Sequence, residues 1–194
     1  MTHESTIAGP SLADVERARV TVSAVADMTP MESSHYLSRV LGQPVFMKCE
    51  NLQRTGSYKI RGAYNRISSL SDDEKARGVV AASAGNHAQG VAFAARELGI
   101  PATIFMPIGV ALPKLAATRD YGADVVLRGH TVAEPLRAAA EHAERTGAVY
   151  IPPFDHPDVI AGQGTLGLEV LEQVPELATV IVPIGGGGLI SGMS

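Results

Sequence analysis

Between residues 79 and 152 the hydrophobic pattern changes period repeatedly, and this alternation restricts the fold more than any other feature of the chain. The runs 79–83, 102–106, 124–127 and 149–152 are short, apolar and rich in β-branched residues, as strands are. Between them, residues 87–98, 113–121 and 132–146 space their apolar side chains three and four apart, as helices do. Strands joined through helices run parallel, and a parallel sheet is covered by helices on both faces. The expected class is α/β, with any site beyond the carboxyl ends of the strands.

A second constraint lies upstream, in residues 50–70, ENLQRTGSYKIRGAYNRISSL. Ile60, Ala63, Tyr64, Ile67 and Leu70 form one helical stripe, and Thr55, Gly56 and Ser57 before them are turn and cap residues. Lys59 therefore stands at a helix entrance, where free backbone N–H groups and the positive helix end favour an anion. Three readings are open for it: a solvated surface lysine, a phosphate-pairing cation, or an amine with a lowered pKa suited to Schiff-base chemistry.

Two further stretches offer chemistry. Gly185-Gly186-Gly187-Gly188 follows an apolar run at 179–184 that reads as a final strand, and bare N–H groups there can form a nest for phosphate. A P-loop needs Lys-Ser or Lys-Thr next, but Leu189-Ile190 stand there, and a dinucleotide fingerprint is approximated only by Gly186, Gly188 and Ser191. A plain tight turn without a ligand is the other reading. Ser83-Ala84-Gly85-Asn86-His87 sits where the first strand of the repeat meets its helix, and a hydroxyl, an amide and free N–H groups suit a carboxylate. Asn86 is equally a helix N-cap, and His87 a structural first-turn histidine.

The flanks read as follows. A loose tail precedes about residue 11, a covering helix spans 11–25, Thr29-Pro30 breaks the chain, a short helix spans 34–41, and a strand at 45–50 contains Cys49. Residues 71–78 are charged and turn-like, with Asp72, Asp73 and Glu74 placed as helix N-terminal carboxylates. Residues 154–174 form a turn and a helix whose glycines at 162, 164 and 167 mark close approach of another backbone. The glycine loop is followed by only the first residues of a helix, so the expectation is a truncated chain whose last strand needs a cover supplied from elsewhere.

Composition removes several classes. A net charge of -4 without a dense basic run offers no attraction to nucleic acid, and no apolar span has membrane length. One cysteine cannot form an internal disulfide, which points to a reducing, cytoplasmic location. The histidines at 3, 35, 87, 130, 142 and 156 have no metal-ligand spacing, so no metal is expected.

Four segments, Ser57-Tyr58-Lys59-Ile60-Arg61-Gly62-Ala63, residues 83–89, Ala161-Gly162-Gln163-Gly164-Thr165 and residues 185–189, resemble in order and kind the motifs of the threonine/serine dehydratases. Those are pyridoxal-phosphate enzymes of the tryptophan-synthase-β fold, fold type II, and the resemblance runs from about residue 29 to residue 194. It implies two parallel-sheet lobes, a small one at 74–152 and a large one, incomplete here, from 1–73 and 153–194. It implies that Lys59 carries pyridoxal 5'-phosphate as a Schiff base, that Gly185, Gly186, Gly187, Gly188 and Leu189 hold the phosphate, that Asn86 bonds the ring 3-oxygen and that Tyr58 packs near the ring. Ser83, Gly85, Asn86 and His87 would line the substrate carboxylate. The implied activity is α,β-elimination from L-threonine or L-serine, with the Lys59 amine as general base, in a homo-oligomer, dimer or tetramer. Serine racemases resemble the same motifs but carry serine where this chain has Ala84; without an acid/base on that face, elimination is favoured over racemisation. A third reading is a non-catalytic fragment.

Overall fold

The computed structural model describes residues 9–194; the expected loose tail lies, for residues 1–8, outside the described part. Helix α1 (Leu12–Val22) opens on a capping box between Ser11 and Asp14. Strand β1 (Met31–Ser33), helix α2 (His35–Leu41), strand β2 (Phe46–Lys48) and a 3₁₀ turn (Glu50–Leu52) lead to helix α3 (Lys59–Ser68). Helix α4 (Asp72–Arg77) and strand β3 (Val79–Ala82) follow, then helix α5 (Asn86–Glu97), strand β4 (Ala102–Met106) and helix α6 (Leu112–Asp120). Strand β5 (Asp124–Leu127), helix α7 (Ala133–Thr146), strand β6 (Val149–Tyr150), helix α8 (Pro157–Gln173) and helix α9 (Gly188–Met193) complete the order.

The alternating region forms one four-stranded parallel sheet in the order β5-β4-β3-β6. Each strand spans only a few residues, so period-two patterning sorts the side chains cleanly between faces. Val79, Ala81, Ile104 and Met106 point to one face and pack with Val91 and Ala95 of α5 and Ile67 of α3. Val80, Ala82 and Phe105 point to the other and meet Ala139 of α7. β3 is thus buried on both faces, which is why it reads as a continuous apolar run.

Helix α3 lies between α5 and α8, and glycines let both approach it. A Cβ on Gly90 would stand 3.1 Å from the Lys59 carbonyl carbon, and one on Gly162 would stand 2.6 Å from the Arg61 carbonyl oxygen. Gly164 faces Gly192 of α9 with similarly little room.

The sequence reading needs correction at several points. Residues 179–184 are not a strand: among the described residues no strand lies beside them, and Ile181 and Ile184 are 89% and 70% exposed. An apolar run becomes a strand only when a neighbour takes its N–H and C=O groups. The strand expected at 45–50 shrinks to β2, paired antiparallel with β1, and Cys49 lies just past its end as the residue before the 3₁₀ turn. Residues 71–78 hold a six-residue helix, opened by a Ser71–Glu74 capping box, instead of a charged turn. At the start of α5, Gly85 occupies the cap position and Asn86 is the first helical residue.

Candidate active site

Lys59 is the first residue of α3, and the residue before it, Tyr58, gives that helix no side-chain cap. Ser57 Oγ accepts the Lys59 backbone N–H at 3.4 Å. The side chain is half-buried, and Nζ donates to the carbonyl oxygen of Pro153 at 2.6 Å, with the Tyr58 ring centroid 5.4 Å away. Burial holds the ammonium pKa below the usual lysine range, because water no longer stabilises the charge. A larger share of unprotonated amine is thereby available than on an exposed lysine.

Two residues upstream of Pro153, Ile151 accepts a hydrogen bond from His87 Nε2 at 2.9 Å. His87 is 5% exposed, and burial pushes its pKa down to about 4, opposed by the bond to Ile151 and reinforced by the charge of Lys59. The imidazole is therefore neutral at pH 7, with its proton on Nε2, since a carbonyl only accepts. Toward an anion, His87 offers only its backbone N–H, which at the start of α5 has no intrahelical partner.

One residue downstream of Pro153, Phe154 supports the glycine loop. A Cβ on Gly186 would overlap the Phe154 ring, and one on Gly188 would lie 2.8 Å from the Phe154 carbonyl oxygen. Gly187, at φ +86°, occupies the cap of α9, and Leu189 is buried behind it. The strap 151–154 thus touches His87, Lys59 and the glycine loop in succession.

The segment 83–87 lies at the carboxyl end of β3, where sites of parallel sheets gather. Ser83 Oγ accepts the Gly85 N–H at 3.1 Å, Ala84 sits between them, and Asn86 is exposed. A Cβ on Gly85 would stand 3.9 Å from Lys114 Nζ, which places a second cation beside this loop. Sequence reasoning missed Pro153, Ile151 and Phe154, whose contributions are largely backbone contacts without a side-chain signature, and Lys114, an unremarked helix-start lysine on α6.

The site suits an aldehyde-bearing phosphate ester: a half-buried lysine of depressed pKa, and a glycine loop with open space over Gly185 and Gly187. Residues 22–194 match the family model described as pyridoxal-phosphate dependent enzyme. The chain belongs to that family. Among its relatives, the L-threonine ammonia-lyase of Thermotoga maritima is 54% identical over 184 residues, which are 95% of this chain and 46% of that protein. The structure of maize serine racemase superposes with a TM-score of 0.92 at 40% identity, covering 95% of this chain and 56% of that one. The processed form of threonine deaminase isoform 2 from Solanum lycopersicum gives a TM-score of 0.87 at 45% identity, covering 95% and 52%. The architecture is that of fold type II, and the chain spans about half the length of the relatives it matches. Among the described residues no helix is long and apolar enough to cross a membrane, and no group of His, Cys, Asp or Glu is arranged to hold a metal ion.

Proposed function

We propose that this polypeptide belongs to a threonine ammonia-lyase (threonine dehydratase) that eliminates water across Cα and Cβ of L-threonine or L-serine. The released enamine then takes up water to give ammonia and 2-oxobutyrate or pyruvate. The observation that carries this reading is the strap 151–154, which holds the lysine amine, the buried histidine and the glycine loop in one place. The name of the 54% identical relative supports the choice of reaction.

Lys59 would hold pyridoxal 5'-phosphate covalently, and the group when bound would supply the electron sink that makes the α-proton acidic. Gly185, Gly186, Gly187, Gly188 and Leu189 would hold its phosphate, Asn86 its 3-oxygen, and Tyr58 would lie beside its ring. Ser83, Gly85, Asn86 and His87 would receive the substrate carboxylate, His87 through its backbone N–H because its ring is committed to Ile151. The Lys59 amine takes the α-proton at Nζ, and burial, by lowering its proton affinity, raises the share of amine free for that task. The Pro153 carbonyl orients the amine before reaction.

The likeness to maize serine racemase makes racemisation the rival reading. Ala84 argues against it, because inversion needs a proton donor on the face opposite the lysine and a methyl group supplies none. Assay of 2-oxobutyrate release separates the dehydratase from a non-catalytic fragment, and D-amino-acid formation separates a racemase from that fragment. We read the chain as two lobes, 74–152 and 1–73 with 153–194; the confinement of all four parallel strands to 79–150 supports this. We further read the protein as cytoplasmic, on its one free cysteine, and as a homo-oligomer, dimer or tetramer, on the exposed Tyr36, Val40, Phe46 and Met47.

The test is borohydride reduction in the presence of pyridoxal phosphate followed by peptide mass mapping. The expected result is a phosphopyridoxyl mass on the peptide containing Lys59; a mass on another lysine alone, or none, refutes the reading.

A further inference from the structure

A second group of charges is held by the same first turn of α3. Arg61 is 1% exposed, and its guanidinium donates to Glu50 through Nε and Nη2 at 2.9 and 3.0 Å. The same guanidinium donates to Glu169 through Nη1 and Nη2 at 2.6 and 3.0 Å, and to Thr165 Oγ1 at 3.3 Å. Glu169 also accepts from Lys48 Nζ at 2.6 Å, and Glu50 from Thr29 Oγ1 at 2.7 Å. Two cations and two carboxylates balance, and the planar fork of arginine is saturated on both edges, the condition under which buried charge is tolerated.

This cluster bears on Lys59 through the helix start. The cap residue Tyr58 gives this turn no side-chain bond and the Lys59 N–H makes only a long one to Ser57 Oγ at 3.4 Å, so lateral contacts fix its position. Arg61 is in that turn, and its N–H bonds the Tyr58 carbonyl at 3.0 Å; the next N–H, of Gly62, bonds Gln163 Oε1 at 3.2 Å. Helix α8 therefore holds α3 through Gln163, Thr165 and Glu169, and the strap leading into α8 holds Lys59 Nζ through Pro153. Lysine and acceptor are thus tied to the same packed pair of helices, the lysine on α3 and the acceptor in the strap leading into α8.

We propose that Arg61, Glu50 and Glu169 form a positioning clamp that sets the depth at which the Lys59 amine is held beneath the strap. The clamp rests on the reading of Lys59 as the cofactor lysine, and its members are positioning residues that act through α3 and α8. The test uses the full chain without added pyridoxal phosphate. Lys59 is reductively methylated with formaldehyde and cyanoborohydride across a pH series and quantified by peptide mass, with Lys75 and Lys114 as internal references. Tyr58 and His87 are the titratable groups facing the amine. In Arg61→Lys, which keeps the charge and loses the fork, and in Glu169→Gln, the Lys59 labelling midpoint rises by about half a pH unit, about a threefold change in neutral amine. Circular dichroism stays as in the parent. An unchanged midpoint in a folded variant overturns the clamp; if Arg61→Lys does not fold, Glu169→Gln decides. Trapping of pyridoxal phosphate in the unaltered chain distinguishes the two ideas: a shifted midpoint without trapping leaves the clamp standing and removes the functional reading.

Discussion

Protonation of His87 sets an acid limit on this fold. The imidazole is buried and bonded to Ile151, so its pKa lies near 4, against 6.5 for the free side chain. As the pH falls through this window, the unfolded chain takes up a proton that the folded chain refuses, so stability falls with acid. The loss begins below about 6.5 and is complete below about 4. At 1.36 kcal/mol per pH unit the gap corresponds to about 3 kcal/mol. His87→Gln keeps an N–H donor for the Ile151 carbonyl but has nothing to titrate. Urea unfolding followed by circular dichroism at pH 7, 5.5, 4.5 and 4 should give similar stabilities for parent and variant at pH 7. Toward pH 4 the variant should lose about 3 kcal/mol less than the parent. Asp14, Glu74 and Glu134, whose pKa values are lowered chiefly by hydrogen bonds from Ser11, Ser71 and the His130–Thr131 backbone, titrate alike in both proteins and cancel. Parallel stability curves for parent and variant would refute the burial argument.

Lys59→Ala should abolish both the visible absorbance of bound pyridoxal phosphate and 2-oxobutyrate release; retained absorbance in a spectral titration removes Lys59 from its role. Gly186→Ala drives a methyl into the Phe154 ring, so it should cost about 1–3 kcal/mol in urea unfolding and weaken pyridoxal phosphate binding several-fold by fluorescence titration. Ala84→Ser should raise D-amino-acid formation from L-serine, measured by chiral chromatography, and a variant that makes none defeats the two-face argument.

The strand–helix repeat was legible because β3 is buried on both faces, so its apolar run needs no knowledge of what covers it. The entrance of α3 was legible for a similar local reason, the turn residues before Lys59. What stayed hidden depends on distant neighbours. His87 owes its burial in part to Ile151, 64 positions away, and Arg61 finds Glu169 at a separation of 108, distances over which periodicity carries no information. The run 179–184 failed as a strand for the same reason, since apolar character states a preference for burial and pairing needs a partner.

The glycine loop shows the ambiguity at single-residue scale. Four glycines in a row read as a phosphate nest, in which every position would be kept free of a side chain for the ligand's sake. In the fold, Gly186 and Gly188 are kept small by Phe154, whereas a Cβ on Gly185 or Gly187 would meet nothing within 4 Å. At Gly187 the positive φ independently disfavours a side chain, so Gly185 is the one position in the run where neither packing nor backbone conformation explains the absence of a side chain. If the loop grips phosphate as the family chemistry requires, the room for it lies on the Gly185 and Gly187 side, and Gly185→Ala is the substitution whose effect on cofactor affinity reports ligand contact free of a packing defect.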